Sequence, residues 1–162
     1  MLFHGWFPNV KHNEISKNQY ESGVKWIVIL HLETLMKKTI TDNIYISVQP
    51  KYLPERSNPS KPIYFFSYHI KIINQGKDTV QLKSRYWHIT DGNGNVEEIR
   101  WTGVVGNQPY LKQGERFEYT SFCPLSTEFG VMYGHFKMIC DTGKKFNAII
   151  QPFRLTIPHS VN

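Results

Sequence analysis

Apolar and polar residues alternate through most of the chain from about residue 39 onward, and stretches containing Gly, Pro or Asn interrupt the alternation at regular intervals. A period of two is that of a β-strand with one buried face, because successive side chains of a strand point to opposite sides of the sheet. In segment 63–73, every second residue from Phe66 to Ile72 is aromatic or β-branched. No convincing 3.6-residue period of an amphipathic helix accompanies it. The pattern therefore predicts an all-β domain.

The segments that fit a strand are 44–48, 63–73, 80–90, 96–101, 116–122, 132–140, 145–150 and 153–157. The strongest turn signal is 91–95 (Asp-Gly-Asn-Gly-Asn), because Asn, Asp and Gly tolerate positive φ angles. Seven or eight antiparallel strands joined by turns every ~8–12 residues predict a β-sandwich, immunoglobulin-like or fibronectin type III-like. Prolines are expected between the strands or at their ends, since proline cannot donate a hydrogen bond to a sheet.

Composition narrows the class of protein. Apolar residues make up 40% of the chain and charged residues 20%, which is typical of a soluble globular domain. The net charge is +6, which favours anionic partners only weakly. The basic residues are interspersed with acidic ones, so nucleic acid is not the expected partner. Two cysteines exclude a disulfide framework and fit a reducing compartment, which predicts a cytoplasmic location. No apolar run approaches the ~20 residues of a membrane-spanning helix.

Residues 1–35 differ from the rest, because their charges sum to zero and they lack the alternation punctuated by turns. Met36 is followed by Lys-Lys-Thr, which resembles a natural protein start. We hypothesise that Met36 is the initiator, that 1–35 is an over-extended gene model, and that 36–162 is the functional domain. The alternative is a genuine N-terminal extension that packs on the domain.

The start site can be tested directly on the native protein. N-terminal sequencing is expected to begin at Met36 or at the residue that follows it after methionine removal. A peptide from upstream of Met36 would contradict the hypothesis.

The clearest candidate binding motif is the loop Gly103-Val-Val-Gly106, which is followed by Gln108. Glycines let a backbone approach a phosphate closely, and Arg85 and Arg100 could supply positive charge. A dinucleotide-binding loop must open a helix, however, and the next predicted element here is a strand. The competing interpretation is a glycine-rich connection between two strands.

Other motifs give weaker signals. Asp91, Asn93 and Asn95 occupy the first ligand positions of a calcium loop, but the required later glycine and glutamate are absent, so a hairpin is predicted. The histidines lack metal-ligand spacing, which leaves only a site assembled across strands, for example from His69, His88 and His135. Cys123 has no base placed by the sequence, so a nucleophilic role is not expected.

Aromatic and basic residues from several segments of the chain could form one surface. Such a surface would suit single-stranded nucleic acid or a protein partner, and the alternative is that most of the rings belong to the core. The residues concerned are Tyr86, Trp87, Trp101, Tyr110 and Tyr133, with Lys83, Arg85, Arg100 and Lys112.

Several stretches together resemble the ApaG family, in order along residues 38–156. They include 46–50 (ISVQP), 72–76 (IINQG), 80–85 (VQLKSR), 103–106 (GVVG), 118–121 (EYTS), 123–125 (CPL) and 152–155 (PFRL). The resemblance implies a fibronectin type III-like sandwich associated with Mg²⁺ and Co²⁺ tolerance or efflux, and protein-interaction modules in eukaryotic relatives. The family loop usually reads Gly-x-Gly-x-x-Gly and has been suggested to bind pyrophosphate or nucleotide. Here Trp101 stands at its first position.

We therefore expect a non-enzymatic binding module that acts through a protein partner and affects Mg²⁺/Co²⁺ homeostasis or efflux indirectly. The alternative is a binder or weak hydrolase of pyrophosphate or (di)nucleoside polyphosphates that uses loop 103–106. No cofactor is expected, with Mg²⁺ or Co²⁺ as the alternatives. The candidate binding residues are Arg85, Arg100, Trp101, Gly103, Gly106 and Gln108.

Overall fold

The computed structural model describes residues 37–158, so the proposed boundary at Met36 and the segment 1–35 lie outside the described residues. The described part contains nine strands and a short 3₁₀ turn at Pro54–Arg56. Within it, no helix has the length and apolar character needed to cross a membrane. The strands are β1 Lys37–Thr41, β2 Ile44–Tyr52, β3 Tyr64–Asn74, β4 Val80–Asp91, β5 Val96–Thr102, β6 Tyr110–Leu111, β7 Arg116–Leu125, β8 Phe129–Cys140 and β9 Lys145–Thr156.

The strands form two antiparallel sheets, which confirms the predicted β-sandwich. One sheet has the order β1-β2-β3-β7, and the other has the order β5-β4-β8-β9. The short β6 pairs with residues 80–81 of β4, next to the stretch of β4 that pairs with β5. Along one side of the sandwich the sheets are joined, because the hydroxyls of Thr39 and Thr41 accept hydrogen bonds from the amides of Gln151 and Ile149.

The core lies between the sheets and is centred on Trp87, which is 1% exposed. Its indole meets the rings of Tyr68 at 5.4 Å, Phe136 at 6.3 Å and Phe153 at 6.0 Å, in edge-to-face arrangements. Such arrangements suit the positive edge and negative face of aromatic rings. Trp87 of the β5-β4-β8-β9 sheet thereby touches Tyr68 of the other sheet. The alternation predicted in segment 63–73 is confirmed, since Phe66, Tyr68, Ile70 and Ile72 are buried and face this core.

Gly134 explains how β8 can pair closely with β4 beside so large a ring. It lies directly opposite Trp87 in the β4–β8 pairing. A Cβ atom at this position would collide with the carbonyl oxygen of Tyr86 and touch the indole ring at 3.0 Å. The absence of a side chain therefore lets β8 approach β4 while the indole covers the glycine.

The structure differs from the predicted strands in two respects. Segments 145–150 and 153–157 form the single strand β9, and the short β1 and β6 were not predicted.

The expectation that prolines avoid strands is wrong for Pro50, Pro124 and Pro152, which lie inside β2, β7 and β9. Pro50 lies beyond the end of the β1–β2 pairing and Pro124 lies on an edge strand. Pro152 lies at the register shift between β8 and β9. Each proline thus lies where its strand is not regularly hydrogen-bonded to a neighbouring strand on both sides.

Two neighbouring tryptophans allow a controlled test of the core. We expect Trp87→Ala to lower the free energy of unfolding by about 3–5 kcal/mol, because it removes the ring that joins the sheets and leaves a cavity. Trp101→Ala should change that of the single chain by less than about 0.5 kcal/mol, because that side chain is 63% exposed there. Chemical denaturation followed by circular dichroism measures both, and equal losses would contradict the assigned core.

Candidate functional site

The strand register divides the residues that the sequence grouped on one surface. Arg85 of β4 lies opposite Trp101 of β5 and opposite the buried Phe136 of β8. The next residue, Tyr86, lies opposite Arg100 and His135. Because neighbouring residues of a strand point to opposite faces, Arg85 and Trp101 share the inner face of the sheet, whereas Arg100 belongs to the outer face. The side chains of the two arginines therefore lie on opposite faces of the sheet.

Arg85 is half-buried and close to two tyrosines that line the sandwich interior. Burial raises the pKa of Tyr68, while a hydrogen bond with Ser121 and the charge of Arg85 oppose the shift. Burial also raises the pKa of Tyr119 well above its usual value, and Arg85 again acts in the opposite direction. Arg85 is thus a cation held at the margin of the core beside neutral phenols.

A pocket of about 300 Å³ opens on the outer face of the β5-β4-β8-β9 sheet. Its side chains come from three adjacent strands: Ser84 and Tyr86 from β4, Arg100 and Thr102 from β5, and His135 and Lys137 from β8. These residues are cross-strand pairs, with the short Ser84 opposite both Thr102 and Lys137. Arg85 and Trp101 also border the pocket. The alternation along β4 and β5 directs their side chains to the other face. We call this the outer-face pocket.

The aromatic and charged side chains of the outer-face pocket are held by one another. The guanidinium of Arg100 lies over the ring of Tyr86, 4.5 Å from its centre, and donates to the carboxylate of Glu98 at 3.0 Å. The hydroxyl of Tyr86 donates to the other oxygen of Glu98 at 2.9 Å. The ring of Tyr86 also lies 5.1 Å from that of His135. Arg100 is thereby fixed from below by a ring and from the side by a carboxylate.

The electrostatics of the outer-face pocket favour anions. Partial burial, together with the positive charges of Arg100 and Lys137, lowers the pKa of His135 below its usual 6.5. The hydrogen bond from Tyr86, followed by that from Arg100, lowers the pKa of Glu98. His135 is therefore neutral at pH 7, and the fixed charges lining the pocket are cationic. An anion bound there would favour the protonated form of His135.

The glycine loop forms a tight turn beside this pocket. The amide of Val104 donates to the carbonyl of Asn107, and the amide of Asn107 donates back, both at 2.8 Å. Val105 and Gly106 have φ angles of 46° and 78°, as in the mirror-image turns of β-hairpins. Gly103 has a φ of 64°, and a Cβ atom there would collide with the carbonyl of Asn107. Of the loop amides, that of Val104 is thus already hydrogen-bonded within the turn, and that of Gly103 donates to the carbonyl of Lys83.

Gln108 holds the strand beneath the pocket. Its side-chain amide donates to the carbonyl of Lys83 at 2.9 Å, and its side-chain oxygen accepts from the ammonium of Lys83 at 3.4 Å. Lys83 is the extra residue of a β-bulge, since Leu82 and Ser84 pair with adjacent residues of β8. Gln108 therefore fixes the bulge that precedes Ser84.

The calcium-like segment is the predicted hairpin, and Asp91 organises it. Its carboxylate accepts hydrogen bonds from the Asn93 amide, from the Asn95 amide and side chain, and from Ser126. The hydrogen bond from the Asn95 side chain is the main reason that the pKa of Asp91 lies below its usual value. The carboxylate thus serves the turn itself.

The proposed cross-strand histidine site is not assembled. His69 lies on the β1-β2-β3-β7 sheet and interacts with Glu118 and Thr120, whereas His88 and His135 lie on the other sheet. Among residues 37–158, no group of three or more His, Cys, Asp or Glu side chains is arranged to hold a metal ion. Burial, with a smaller contribution from Glu97, raises the pKa of Cys123 to about 12, so its thiol is protonated.

Sequence reasoning missed Lys137, Ser84 and Thr102, and it considered His135 only as a metal ligand. All four occupy outward positions of their strands. Alternation along β8 could have assigned His135 and Lys137 to the solvent face, since Phe136 and Met138 are apolar. Only the pairing of β4 with β5 and β8 brings them beside Arg100.

Comparison with known proteins gives a consistent result. A family model described as the ApaG domain matches residues 54–140. Protein ApaG of Mesorhizobium japonicum is 50% identical over 123 residues, which cover 76% of this chain and 95% of that protein. Protein ApaG of Anaeromyxobacter dehalogenans is 46% identical over 127 residues, which cover 78% of this chain and 100% of that protein.

Solved structures agree with these sequence matches. A crystal structure named for an ApaA protein from Bordetella pertussis has a TM-score of 0.71 and 45% identity, covering 72% of this chain and 95% of that one. An X-ray structure from a structural genomics consortium has a TM-score of 0.69 and 41% identity, covering 75% of this chain and 92% of that one.

NMR titration of the ring protons of His135 measures how far the neighbouring positive charges lower its pKa. We expect the pKa of His135 to rise towards 6.5 in Lys137→Gln and in Arg100→Gln, because each change removes a nearby positive charge. The rise should be partial, since burial of the imidazole remains. Lys112→Gln, on the loop before β7, is the control and should leave the pKa unchanged. An unchanged pKa in both pocket variants would contradict the described electrostatics.

Proposed function

The chain belongs to the ApaG family, and we propose that it is a non-enzymatic cytoplasmic binding module whose partner inserts an anionic group into the outer-face pocket. The observation that carries this proposal is the composition of the pocket lining. Arg100 and Lys137 contribute cations, Ser84 and Thr102 contribute hydroxyls, and no carboxylate from residues 37–158 lines the pocket. Such a set matches carboxylate or phosphate oxygens.

Two features make the pocket a ready receptor for an anion. Arg100 is held over the Tyr86 ring, so little side-chain freedom is lost when it binds a planar anion. Lys137 makes no ion pair within residues 37–158, so its charge is available. A single pocket of this kind gives specificity, while the remaining affinity must come from the surface around it.

The surrounding surface favours a protein as the partner. Trp101 is 63% exposed, Val105 is 58% exposed and Tyr110 is 67% exposed, all along the same edge of the sheet. Aromatic residues and arginine are enriched at protein interfaces, where they contribute much of the binding energy. An acidic segment of a protein would satisfy the pocket and could also contact exposed side chains beside it, such as Val105 and Tyr110. Any influence on Mg²⁺/Co²⁺ homeostasis would pass through that partner, an extension that rests on the family resemblance.

A second candidate function is the binding of pyrophosphate or dinucleoside polyphosphates. The same cations and hydroxyls favour it, because phosphate oxygens accept the same hydrogen bonds as carboxylates. The loop at 103–106 offers less to a phosphate than the sequence implied, since the amide of Val104 is engaged in its own turn and that of Gly103 donates to Lys83 of β4. In this function the side chains of the outer-face pocket, and not the loop, would bind the phosphate groups.

Thermal unfolding of the full chain distinguishes these functions. The panel contains an acidic peptide such as oligoglutamate, pyrophosphate, a dinucleoside tetraphosphate, Mg²⁺ and Co²⁺. A ligand at about 100 times its Kd adds about 2.7 kcal/mol to the stability, which corresponds to a Tm shift on the order of 10 °C for a domain of this size. We expect a shift with the acidic peptide that Lys137→Glu abolishes, because this change reverses a charge of the pocket.

Lys61→Glu is the matched control, since it makes the same charge change at an exposed turn of the chain. It should preserve the shift seen with the native chain. A shift with phosphate ligands alone would favour the second function, and a shift with Co²⁺ alone would favour a direct metal sensor. A peptide-induced shift that survives Lys137→Glu would refute the proposed pocket.

A further inference from the structure

Strand β5 has one free edge among the described residues, because it pairs only with β4. The amide of Gly103 donates to Lys83 of β4, and the carbonyl of Asn95 accepts from Asp91 of β4. Since backbone groups alternate in direction along a strand, the odd-numbered residues of β5 point towards β4. The even-numbered residues therefore present their N–H and C=O groups to the free edge. These residues are Val96, Glu98, Arg100 and Thr102.

We propose that this edge is an interface between two copies of the chain, which pair antiparallel through β5 about a two-fold axis at Ile99. Ile99 is the central residue of the seven-residue strand. The whole strand would then pair with its counterpart, and each even-numbered residue would meet another even-numbered residue. Glu98 would lie opposite Arg100 of the second copy, and Val96 opposite Thr102 of the second copy. Such pairs exchange both of their free backbone hydrogen bonds.

The charges of β5 select this register. With the axis at Ile99, each Glu98 meets an Arg100, and the two pairs are equivalent by symmetry. Opposite charges placed across an antiparallel pair are stabilising, whereas like charges are destabilising. Centring the axis on Glu98 would bring two glutamates together, and centring it on Arg100 would bring two arginines together. Backbone hydrogen bonding permits all three registers, so the charge pattern alone distinguishes them.

The other face of the strand supplies apolar contacts. Ile99 and Trp101 point to the inner face, and Trp101 is 63% exposed in the single chain. In the proposed pair, Ile99 meets Ile99 of the second copy, and Trp101 becomes a diagonal neighbour of that residue. Aromatic and β-branched residues at such positions stabilise paired strands. Pairing also satisfies an edge that would otherwise be open to aggregation.

Sedimentation velocity of the full chain over a concentration series tests the proposal. We expect the native chain to show a monomer–dimer equilibrium. Glu98→Arg leaves only cations at the two central charged positions, and Arg100→Glu leaves only anions, so each variant alone should dimerise more weakly by about tenfold or more. An equimolar mixture of the two variants should recover the dimer, because opposite charges again face each other.

The mixture separates this interface from effects within one chain, since it restores no Glu98–Arg100 ion pair inside either variant. Lys61→Glu makes the same charge change as Arg100→Glu away from the edge and should associate like the native chain. Thermal unfolding verifies that every variant is folded. A native chain that stays monomeric at millimolar concentration would overturn the proposal, as would folded variants whose mixture remains monomeric.

Discussion

The pairing of β4 with β8 is the constraint on which the rest of the structure depends. β4 also carries β5 and β6 along its other edge, so it forms the spine of its sheet. The close approach of the two strands at Gly134 lets the indole of Trp87 fill the space between the sheets. The same indole contacts Tyr68 of the opposite sheet and Phe153 of β9. One glycine and one tryptophan thereby link three strands to the second sheet.

The β-bulge at Lys83 decides what the outer face of that sheet presents. Upstream of it, Val80 and Leu82 point into the core, and a regular strand would continue with Ser84 and Tyr86 inward. The extra residue inverts the alternation, so that Trp87 enters the core while Ser84 and Tyr86 face outward. Bulges commonly re-aim side chains in this way. Gln108 and Gly103 both hydrogen-bond to the carbonyl of Lys83, which connects the glycine loop to the pocket through support of the bulge.

The chemistry of the outer face follows from this arrangement. Tyr86 supports the guanidinium of Arg100 and donates to Glu98, and it also lies against His135. These contacts place the guanidinium of Arg100 at the pocket and the carboxylate of Glu98 beside it on β5. The pocket and the edge consequently have different electrostatic characters. The pocket is cationic and suits an anionic partner, whereas the outer face of β5 carries both an acidic and a basic residue and suits its own copy.

The sequence by itself determined the fold class, because a period of two with Gly, Asn and Pro turns is incompatible with helices and requires two faces of different polarity. It also determined the family, the hairpin at 91–95 and the core role of segment 63–73, all of which depend on local patterns. It could not assign Arg85 and Arg100 to opposite faces, because a one-residue bulge exchanges the faces of the residues that follow it in β4, and the pairing of β4 with β5 places Arg100. The grouping of Arg100 with Lys137 and His135 was decided by cross-strand register, which joins residues distant in sequence. Only the tertiary structure brings those strands side by side.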